Sequence, residues 1–501
     1  MKYLAISIGP IIKTFSMARK SKEYWTASYM FSYLMQCILN VLTKETKLKL
    51  VSPFYKDGKV FDKSVGLFPD RAFFEVTDDI NDDIIISLLK TAKKQFVDKT
   101  KFTEDSKLNT EVVNSYFRIM HTFGEYSSCG EAILGLNKAL DRIELNQTVW
   151  TPNDYDIVFS YLRAANNKCP LYQIAFGTDY NKIPTLETIA KGEANEKSSG
   201  ETKEINFSYQ RYICIIQADG DSMGTIVSSF DDESELLDFS EQLIDYGQEA
   251  CERIRAFGGL PIYAGGDDLL FIAPVCGKEG KTIFDLIEEI DKEYEKIKKI
   301  VEVRDIEIEE NGEKIKMRTS MSYGISVIYY KYPLYEAWEI ARNMLFGFAK
   351  KQVDGKNAIA LNLRKNSGSD FRLMLSKSSD EYSCLKSLIE STPGETLVSS
   401  VAHKVRTNTP LLGTFGKEDL SSRLSAFFTQ IIDTEDKSTE AKKYLDETRK
   451  VLELIMGNYI EKKVIQTKES TEKDTTQQAT ELFYSMLRIA KFIKGEEVKD
   501  E

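Results

Sequence analysis

The sequence has no run of about 18 uncharged apolar residues, which is the length that a membrane-spanning helix needs. Its first ten residues, MKYLAISIGP, lack the apolar core and the small-residue cleavage site of a secretory signal. No Cys-x-x-Cys pair occurs, so the thiols are expected to be reduced and to act mostly as small core residues. These absences predict a cytoplasmic protein without a membrane segment. The cysteines are residues 37, 129, 169, 214, 251, 276 and 384.

Basic side chains are fewer than acidic ones. The chain has 67 Lys and Arg against 78 Asp and Glu, a formal net charge of −11. An acidic total argues against a free-standing nucleic-acid binder, although one basic groove or an RNA path supplied by partners stays compatible with it. At 501 residues the chain exceeds one ordinary core, so we expect three or four packed units.

The pattern divides the chain into four regions and predicts an α+β protein. Residues 1–109 alternate short apolar strands with amphipathic helices, which is typical of a small α+β domain. Residues 110–205 are mostly helical in pattern and end in a polar, Gly- and Ser-containing segment that marks a boundary. Residues 206–365 mix strands and helices, and residues 366–501 predict an all-α bundle.

The region 206–365 carries the most information. An apolar strand at 211–218 ends in DGDSMG, and after a helix a hairpin turns through GGDD at 265–268, where positive φ is cheap for glycine. Another helix, a hairpin at Asn311-Gly312, a long strand and a helix at 333–351 follow, before a final strand at 357–363. This order fits a ferredoxin-like palm with additions.

Three aspartates follow apolar strands in this region. Asp219 comes directly after one strand, and Asp267 and Asp268 follow the tight turn between two others. Such carboxylates can meet at one sheet edge, where they are costly unless cations neutralise them. Mg²⁺ (or Mn²⁺) prefers a few carboxylates with phosphate and water oxygens. We therefore predict that these three acids, with the carbonyl of Gly220, hold two ions about 4 Å apart for catalysis.

Phosphate binding has separate candidates. Ser222, Met223 and Gly224 are expected to begin a helix, where free N–H groups and the helix dipole favour an anion. Lys350 ends the helix 333–351 and could reach the β and γ phosphates as a point charge. The other candidate nucleotide-binding residues are Gly265, Gly266 and Ser322.

Structural explanations compete with these assignments. A Gly-Gly turn is good hairpin chemistry, and a lysine in the last turn of a helix is ordinary dipole chemistry. Ser322 could serve simple strand packing. The joint placement of the acids, each at the end of an apolar strand with a helix between, favours the metal site.

At these motifs the sequence resembles a known family. IQADGDSMG (216–224) and YAGGDDLLFIAP (263–274) resemble the palm of the large subunit of type III CRISPR effector complexes. SYGISVIYYKYPLYEAWEIARNMLFGFAK (322–350) is similar to that family's Ser-x-Gly strand and following helix. IGPIIKTFSMARKSKEYWTASYMFSYL (8–34) and GLFPDR (66–71) resemble the N-terminal signature of the Cmr branch. The resemblance covers most of residues 1–365, in order.

The resemblance implies two ferredoxin-like palm domains that face each other, a helical insert between them, and ATP at their junction. Only the second palm holds the metal-binding acids, which correspond to Asp219, Asp267 and Asp268. It also implies assembly with other Cmr-type subunits, CRISPR RNA and target RNA, whose binding switches synthesis on. The usual product is cyclic oligoadenylate, but some relatives join AMP to S-adenosylmethionine, and one metal site serves either acceptor.

Two departures from the family matter. The chain has only two histidines, His121 and His403, neither followed by Asp, and no room precedes the first palm, so we expect no HD nuclease activity. The zinc ribbon of many relatives is reduced to SSCGEA (127–132) and NKCPLYQIAF (167–176), with one cysteine each. Two cysteines do not complete a tetrahedral site, so a zinc-free helical insert is predicted.

Two other function classes stay open. A diguanylate cyclase has a hairpin close to GGDD, although residues 255–264 lack its Arg-x-x-Asp inhibitory signature. A non-catalytic scaffold could retain the acids by descent. A separation of more than about 10 Å between residue 219 and the 267–268 turn would be too large for two-metal chemistry.

Overall fold

A computed structural model describes residues 1–78, 80–100, 115–145, 170–177, 183–193, 205–310, 313–391, 395–431, 438–465 and 472–495. In these ranges the chain is an α+β protein with two sheet-containing domains and a helical C-terminal region. No helix within them combines the length and the apolar character needed to cross a membrane. The fold class predicted from the sequence is confirmed.

The first domain is a four-stranded antiparallel sheet with two long helices. Its strand order, β2-β3-β1-β4, and its βαββαβ connectivity are those of a ferredoxin-like fold. Helix α2 is buried over most of its length, including Trp25. The elements are β1 (Lys2–Gly9), α1 (Ile11–Met17), α2 (Ser21–Leu42), β2 (Leu48–Ser52), β3 (Arg71–Val76), α3 (Asp82–Thr100) and β4 (Arg118–Glu125).

This domain continues past residue 109, where the sequence pattern placed its end. Strand β4 lies in the range assigned to the helical insert, yet it pairs with β1 from Lys2↔Glu125 to Gly9↔Arg118. As an edge strand it is nowhere fully buried, so its sequence lacks the apolar alternation that would identify it. The helices that follow are α4 (Cys129–Leu145), α5 (Pro170–Phe176) and α6 (Leu186–Ala190). The predicted zinc-ribbon remnant at Cys169 lies outside the described residues.

The second domain contains a six-stranded sheet of order β12-β11-β10-β5-β7-β6. Its elements are β5 (Tyr212–Gly220), α7 (Met223–Ser228), α8 (Glu233–Phe257), β6 (Leu260–Gly265), β7 (Asp268–Pro274), α9 (Ile283–Val303), β8 (Glu307–Glu310), β9 (Glu313–Lys316), β10 (Met321–Tyr329), α10 (Leu334–Asn343), β11 (Ala358–Arg364) and β12 (Asp370–Ser376). Strands β6, β7, β5 and β10 with helices α8 and α9 form a second ferredoxin-like core. Strands β8 and β9 pair with each other as a separate two-stranded sheet.

Local sequence explains the main boundaries of this domain. Helix α8 begins where the Asp232 carboxylate accepts the backbone N–H groups of Ser234 and Glu235, and ends at Gly258 in a left-handed conformation. Helix α9 begins with a Thr282–Asp285 capping box. These caps fix the helices that cover one face of the sheet.

The other face of the sheet is covered by helix α10, which continues as a π-helical segment (Met344–Ala349) and a last turn (Lys350–Gln352). It packs very close to β10, because a Cβ atom added to Gly324 would overlap the carbonyl oxygen of Ala341. This close packing brings Lys350 to the end of strand β5.

The sheet also extends past the predicted boundary at residue 365. Strand β12 pairs with β11 from Ala358↔Ser376 to Arg364↔Asp370, and its buried residues alternate with exposed ones. The C-terminal helices are α11 (Asp380–Ser391), α12 (Glu395–Thr407), α13 (Thr409–Leu412), α14 (Leu420–Ile431), α15 (Thr439–Ile465) and α16 (Glu472–Lys494). They join the second domain directly, since the Phe492 ring packs 4.9 Å from that of Tyr212.

The two ferredoxin-like domains contact each other beside the β6–β7 turn. The Ala264 N–H donates to the Gly66 carbonyl at 2.8 Å, so a loop of the first domain is hydrogen-bonded to strand β6. The rings of Phe15 and Trp338 stack at 5.7 Å across the same boundary. The GGDD turn therefore lies next to the first domain.

Candidate active site

The end of strand β5 and the GGDD turn are in contact. Strands β5 and β7 are antiparallel neighbours, so the last residue of one lies beside the first residue of the other. A Cβ atom added to Gly220 would stand 2.8 Å from Oδ2 of Asp267, so the backbone at the end of β5 lies against that carboxylate. The two segments that carry the predicted acids thus form one sheet edge.

The turn itself requires its two glycines. Gly266 has φ +69°, which an L side chain rarely adopts. A Cβ atom on Gly265 would overlap the Tyr263 hydroxyl. Both predicted nucleotide-binding glycines therefore have a backbone role, and Gly266 has open space beside it.

Asp267 and Asp268 are adjacent, half-buried residues whose carboxyl groups form a pair. Burial, and after it the neighbouring Asp268 carboxylate, raise the pKa of Asp267 well above its usual range. Burial raises the pKa of Asp268 as well. Among the residues that the structure describes, none is a hydrogen-bond partner of the buried Oδ1 atom of Asp268. Two crowded carboxyl groups with an unsatisfied oxygen are suited to a divalent cation with oxygen ligands.

Asp219 is oriented differently from the sequence expectation. Its carboxylate contacts the Lys350 ammonium, which also donates to the Gly220 carbonyl at 2.8 Å. In the part of the chain that the structure describes, no group of three or more His, Cys, Asp or Glu side chains is placed to hold a metal ion. The Lys350 ammonium thus contacts the Asp219 carboxylate and the Gly220 carbonyl, both of which were predicted to be metal ligands. A half-buried carboxylate is stabilised by a positively charged partner.

Asp221, which the sequence analysis did not single out, has a supporting position. Its carboxylate accepts hydrogen bonds from the hydroxyls of Ser320 (2.6 Å) and Ser322 (2.9 Å) and from the Asn357 N–H (3.0 Å). Only 2% of the residue is exposed. Ser322, a predicted nucleotide-binding residue, is fully buried and belongs to this network instead. The signal in the sequence was the run Thr-Ser-Met-Ser before Tyr323, which supplies hydroxyl donors.

The residues after Asp221 form an open surface. Ser222 is left-handed, with φ 64°, and begins α7, which has only six residues. Met223 is half-buried, while Gly224 is exposed and a Cβ atom there would meet only Leu134 at 3.9 Å. The Lys356 ammonium lies 3.4 Å from the Ser222 hydroxyl and adds a second cation that the sequence analysis did not identify.

A cavity of about 220 Å³ lies between the two domains, beside Asp268. Aromatic rings from both domains form part of its wall, including Phe15, Phe68 and Trp338. Its polar residues include Asp70 from the first domain and Gln217 from strand β5. An apolar cavity with a few polar groups is typical of a small-molecule site.

The described residues that could have contributed to a zinc ribbon make other contacts. The Cys129 thiol is buried and donates to the Phe230 carbonyl. His121 pairs with Asp82. Cys37, Cys214 and Cys251 are buried and free, as expected of core thiols.

Two ferredoxin-like domains, one with an acidic edge at their junction, define a palm-type domain pair. Residues 212–360 match the family model of the Cas10/Cmr2 second palm domain, and residues 3–103 match that of the N-terminal region of the CRISPR-associated protein Cmr2. The chain belongs to the Cas10/Cmr2 family, in its Cmr2 branch.

The relatives agree with this assignment. The CRISPR system Cmr subunit Cmr2 of Pyrococcus furiosus is 30% identical over 184 residues, which are 32% of this chain and 19% of that protein. A type III-B Cmr-beta structure bound to cognate target RNA superposes with TM-score 0.53 and 12% identity, covering 88% of this chain and 80% of that one. A Csm1–Csm4 cassette in complex with cA4 gives TM-score 0.52 and 12% identity, covering 98% and 70%. At these identities the structural matches establish the fold.

Proposed function

We propose that this chain is the nucleotidyl-transferring subunit of a cytoplasmic, RNA-guided type III CRISPR complex. Binding of target RNA to the complex, which contains Cmr-type subunits and CRISPR RNA, switches on conversion of ATP into an adenylate second messenger. The observation that carries the proposal is the contact of Asp267 with Gly220 at a sheet edge that opens on an interdomain cavity. Relatives of the same fold have been solved with ATP and with cA4, which supports a nucleotide ligand.

A divalent cation fits the acidic edge. Mg²⁺ or Mn²⁺ would be held by Asp267, Asp268 and the Gly220 carbonyl, with Asp219 joining once its carboxylate leaves Lys350. When bound, such a cation neutralises the triphosphate and activates the attacking hydroxyl. We assign zinc no role in this site.

The protein's own groups have three tasks in this proposal. Lys350 and Lys356 lie beside the exposed start of α7 and are suited to bind phosphate oxygens. The aromatic cavity holds the base and excludes water. Asp221 does not touch substrate but holds the end of β5 against β10 and β11.

The acceptor is either a second adenylate or S-adenosylmethionine. Asp70 faces the same cavity as Asp268, and burial raises its pKa to about 6 against the opposing effect of Arg71. A cavity with carboxyl groups from both domains attracts a cationic ligand, and a sulfonium group is one. This observation supports S-adenosylmethionine as a candidate co-substrate beside the formation of cyclic oligoadenylate.

Product analysis of the assembled complex tests the proposal. The complex, with and without target RNA, is incubated with Mg²⁺ and either ATP, with and without S-adenosylmethionine, or GTP, and the products are identified by mass spectrometry. We expect RNA-dependent oligoadenylates, or an adduct of AMP that appears only with S-adenosylmethionine. Turnover of GTP alone would indicate a diguanylate cyclase, and no product from any nucleotide would indicate a scaffold.

Replacing Lys350 by methionine separates its role from that of its neighbour. Lys350→Met keeps an unbranched side chain of similar length but removes the amino group that contacts Asp219 and Gly220. Since one preorganised charge is worth about 10²-fold in rate, we expect messenger output to fall by about 10²-fold. Lys351→Met, at the exposed next position, is the matched control and should retain the wild-type rate. Equal rates for both variants would exclude Lys350 from the reaction.

A further inference from the structure

Gln217 lies in the wall of the interdomain cavity with a fixed side chain. It stands two residues before Asp219 on strand β5, so both side chains project from the same face of the sheet. It lines the cavity together with Asp268 and Asp70. Its Oε1 atom accepts the indole N–H of Trp338 at 3.2 Å.

This hydrogen bond determines which way the carboxamide points. The indole N–H can only donate, so the atom facing Trp338 must be the carboxamide oxygen. The NH₂ group of Gln217 is then directed away from Trp338, and it makes no hydrogen bond to any residue in the described ranges. The group that Gln217 directs away from Trp338 is therefore a hydrogen-bond donor, the NH₂ of its carboxamide.

Trp338 is itself held by packing. The residue is only 5% exposed, and its ring stacks on Phe15 at 5.7 Å and lies 6.4 Å from the ring of Tyr24. Both of those residues belong to the first domain, while Trp338 belongs to α10. The orientation of Gln217 is consequently fixed before a ligand binds, and depends on the contact between the two domains.

We propose that Gln217 selects adenine over guanine in this cavity, an inference that rests on the proposed function. On its Watson–Crick edge adenine carries a ring-nitrogen acceptor, N1, beside its N6 amino donor, whereas guanine carries an N1–H donor beside its O6 acceptor. The Gln217 NH₂ donates to N1 of adenine, and the carboxylate of Asp70 accepts from the amino group. Guanine would set its N1–H against the Gln217 NH₂, where two donors meet, and its O6 against the carboxylate, where two acceptors repel.

The size of the effect follows from the value of one base contact. A good contact to a base edge gives about 10- to 100-fold discrimination against the wrong base. We therefore expect Gln217 to contribute a factor of this size to the ratio of kcat/KM for ATP and GTP. The effect should appear mainly in KM, because Gln217 positions the base and lies apart from the phosphates.

Two variants at this position test the inference in the assembled, target-bound complex. In Gln217→Leu the donor is lost, so the ATP preference should fall by about 10- to 100-fold. In Gln217→Glu the carboxylate can still accept from Trp338 but presents an acceptor to the base, so ATP should be used less well than by Gln217→Leu. Gln477→Leu, an exposed glutamine on α16, is the matched control and should retain the wild-type ratio.

A third variant tests the positioning by Trp338. Trp338→Phe keeps an aromatic ring on Phe15 but removes the N–H, so it should lower the ATP preference less than Gln217→Leu does. Thermal melting of each variant chain shows whether it folds. Wild-type preference in both Gln217 variants would overturn the inference.

Binding measurements keep the two proposals separate. Calorimetric titration of the wild-type chain and of Gln217→Leu with ATP and with GTP reports base selection without turnover. If the wild-type complex makes no product yet the chain binds ATP more tightly than GTP through Gln217, the proposed function fails and the inference stands. If product is made but both nucleotides bind Gln217→Leu as they bind wild type, the inference fails alone.

Discussion

Replacing Asp267 and Asp268 together by asparagine is expected to lower messenger synthesis by about 10³-fold or more, while complex assembly and RNA binding persist. Both carboxyl groups lie at the edge formed with Gly220, and Oδ1 of Asp268 has no protein partner among the described residues. An amide is neutral and binds Mg²⁺ weakly. The variant should therefore lose the cation whose positive charge would neutralise the triphosphate. Mass spectrometry of products from the target-bound complex measures the effect.

The same change should not destabilise the metal-free chain. Burial raises the pKa of both groups, so between the usual aspartate range and the raised values the folded state binds more protons than the unfolded state. The free energy of unfolding therefore falls as pH rises through that window. Asparagine cannot ionise and avoids this loss, so the melting temperature of the variant at pH 8 should equal or exceed that of wild type.

The matched control is a second pair of adjacent aspartates. Asp82→Asn/Asp83→Asn alters the exposed start of α3 and should leave messenger output within about twofold, as expected of surface positions. Wild-type output from the Asp267/Asp268 variant, with RNA binding intact, would show that the chain is a scaffold. Loss of RNA binding in that variant would instead place these acids in assembly.

The contact between Gly220 and Asp267 followed from the sequence because it depends on backbone order. An apolar strand that ends in Asp219-Gly220, a helix, and a hairpin that turns at GGDD leave few ways to form a sheet, and β5 beside β7 is the ferredoxin-like one. The second ferredoxin-like domain could be anticipated in this way, whereas for the first the pattern predicted only a small α+β domain and the family resemblance implied the palm-like fold. The period of the pattern and the turn residues carried that information.

Contacts between side chains from distant segments could not be predicted in the same way. The Lys350–Asp219 contact depends on how closely α10 packs on β10, which Gly324 permits but does not specify. The Trp338–Gln217 hydrogen bond depends on the same packing. Strand β4 was missed because its residues are only half-buried, so its pairing with β1 leaves no periodic signal.

Asp221 provides the second large prediction, and it concerns stability. Asp221→Ala removes the acceptor of two hydroxyls and of the Asn357 N–H in a site that is 2% exposed. Loss of one member of a buried charged network leaves its partners unsatisfied and lowers the free energy of unfolding by about 3–5 kcal/mol. We expect the melting temperature of the chain to fall by about 10 °C. Asp238→Ala, an exposed acid on α8, is the control and should change it little.

Asp221→Asn makes the argument specific to hydrogen bonding. The hydroxyls of Ser320 and Ser322 can rotate to accept from the amide nitrogen, but the Asn357 N–H can only donate. In the variant, one amide oxygen must therefore accept hydrogen bonds that two carboxylate oxygens share in the wild type. We expect the free energy of unfolding to fall by about 1–2 kcal/mol. Stability should rank wild type, Asp221→Asn, Asp221→Ala.

Asp221 and the aspartate pair of the GGDD turn thus have opposite expected signatures. Asp221 faces inward and holds the start of β10 and of β11 to the end of β5, so its variants should lose stability before they lose chemistry. Asp267 and Asp268 are crowded, so their variants should lose chemistry and retain stability. Calorimetric titration with Mn²⁺ separates the roles. If Asp221→Asn melted like wild type but bound Mn²⁺ far more weakly, Asp221 would be a metal ligand and the supporting role would be wrong.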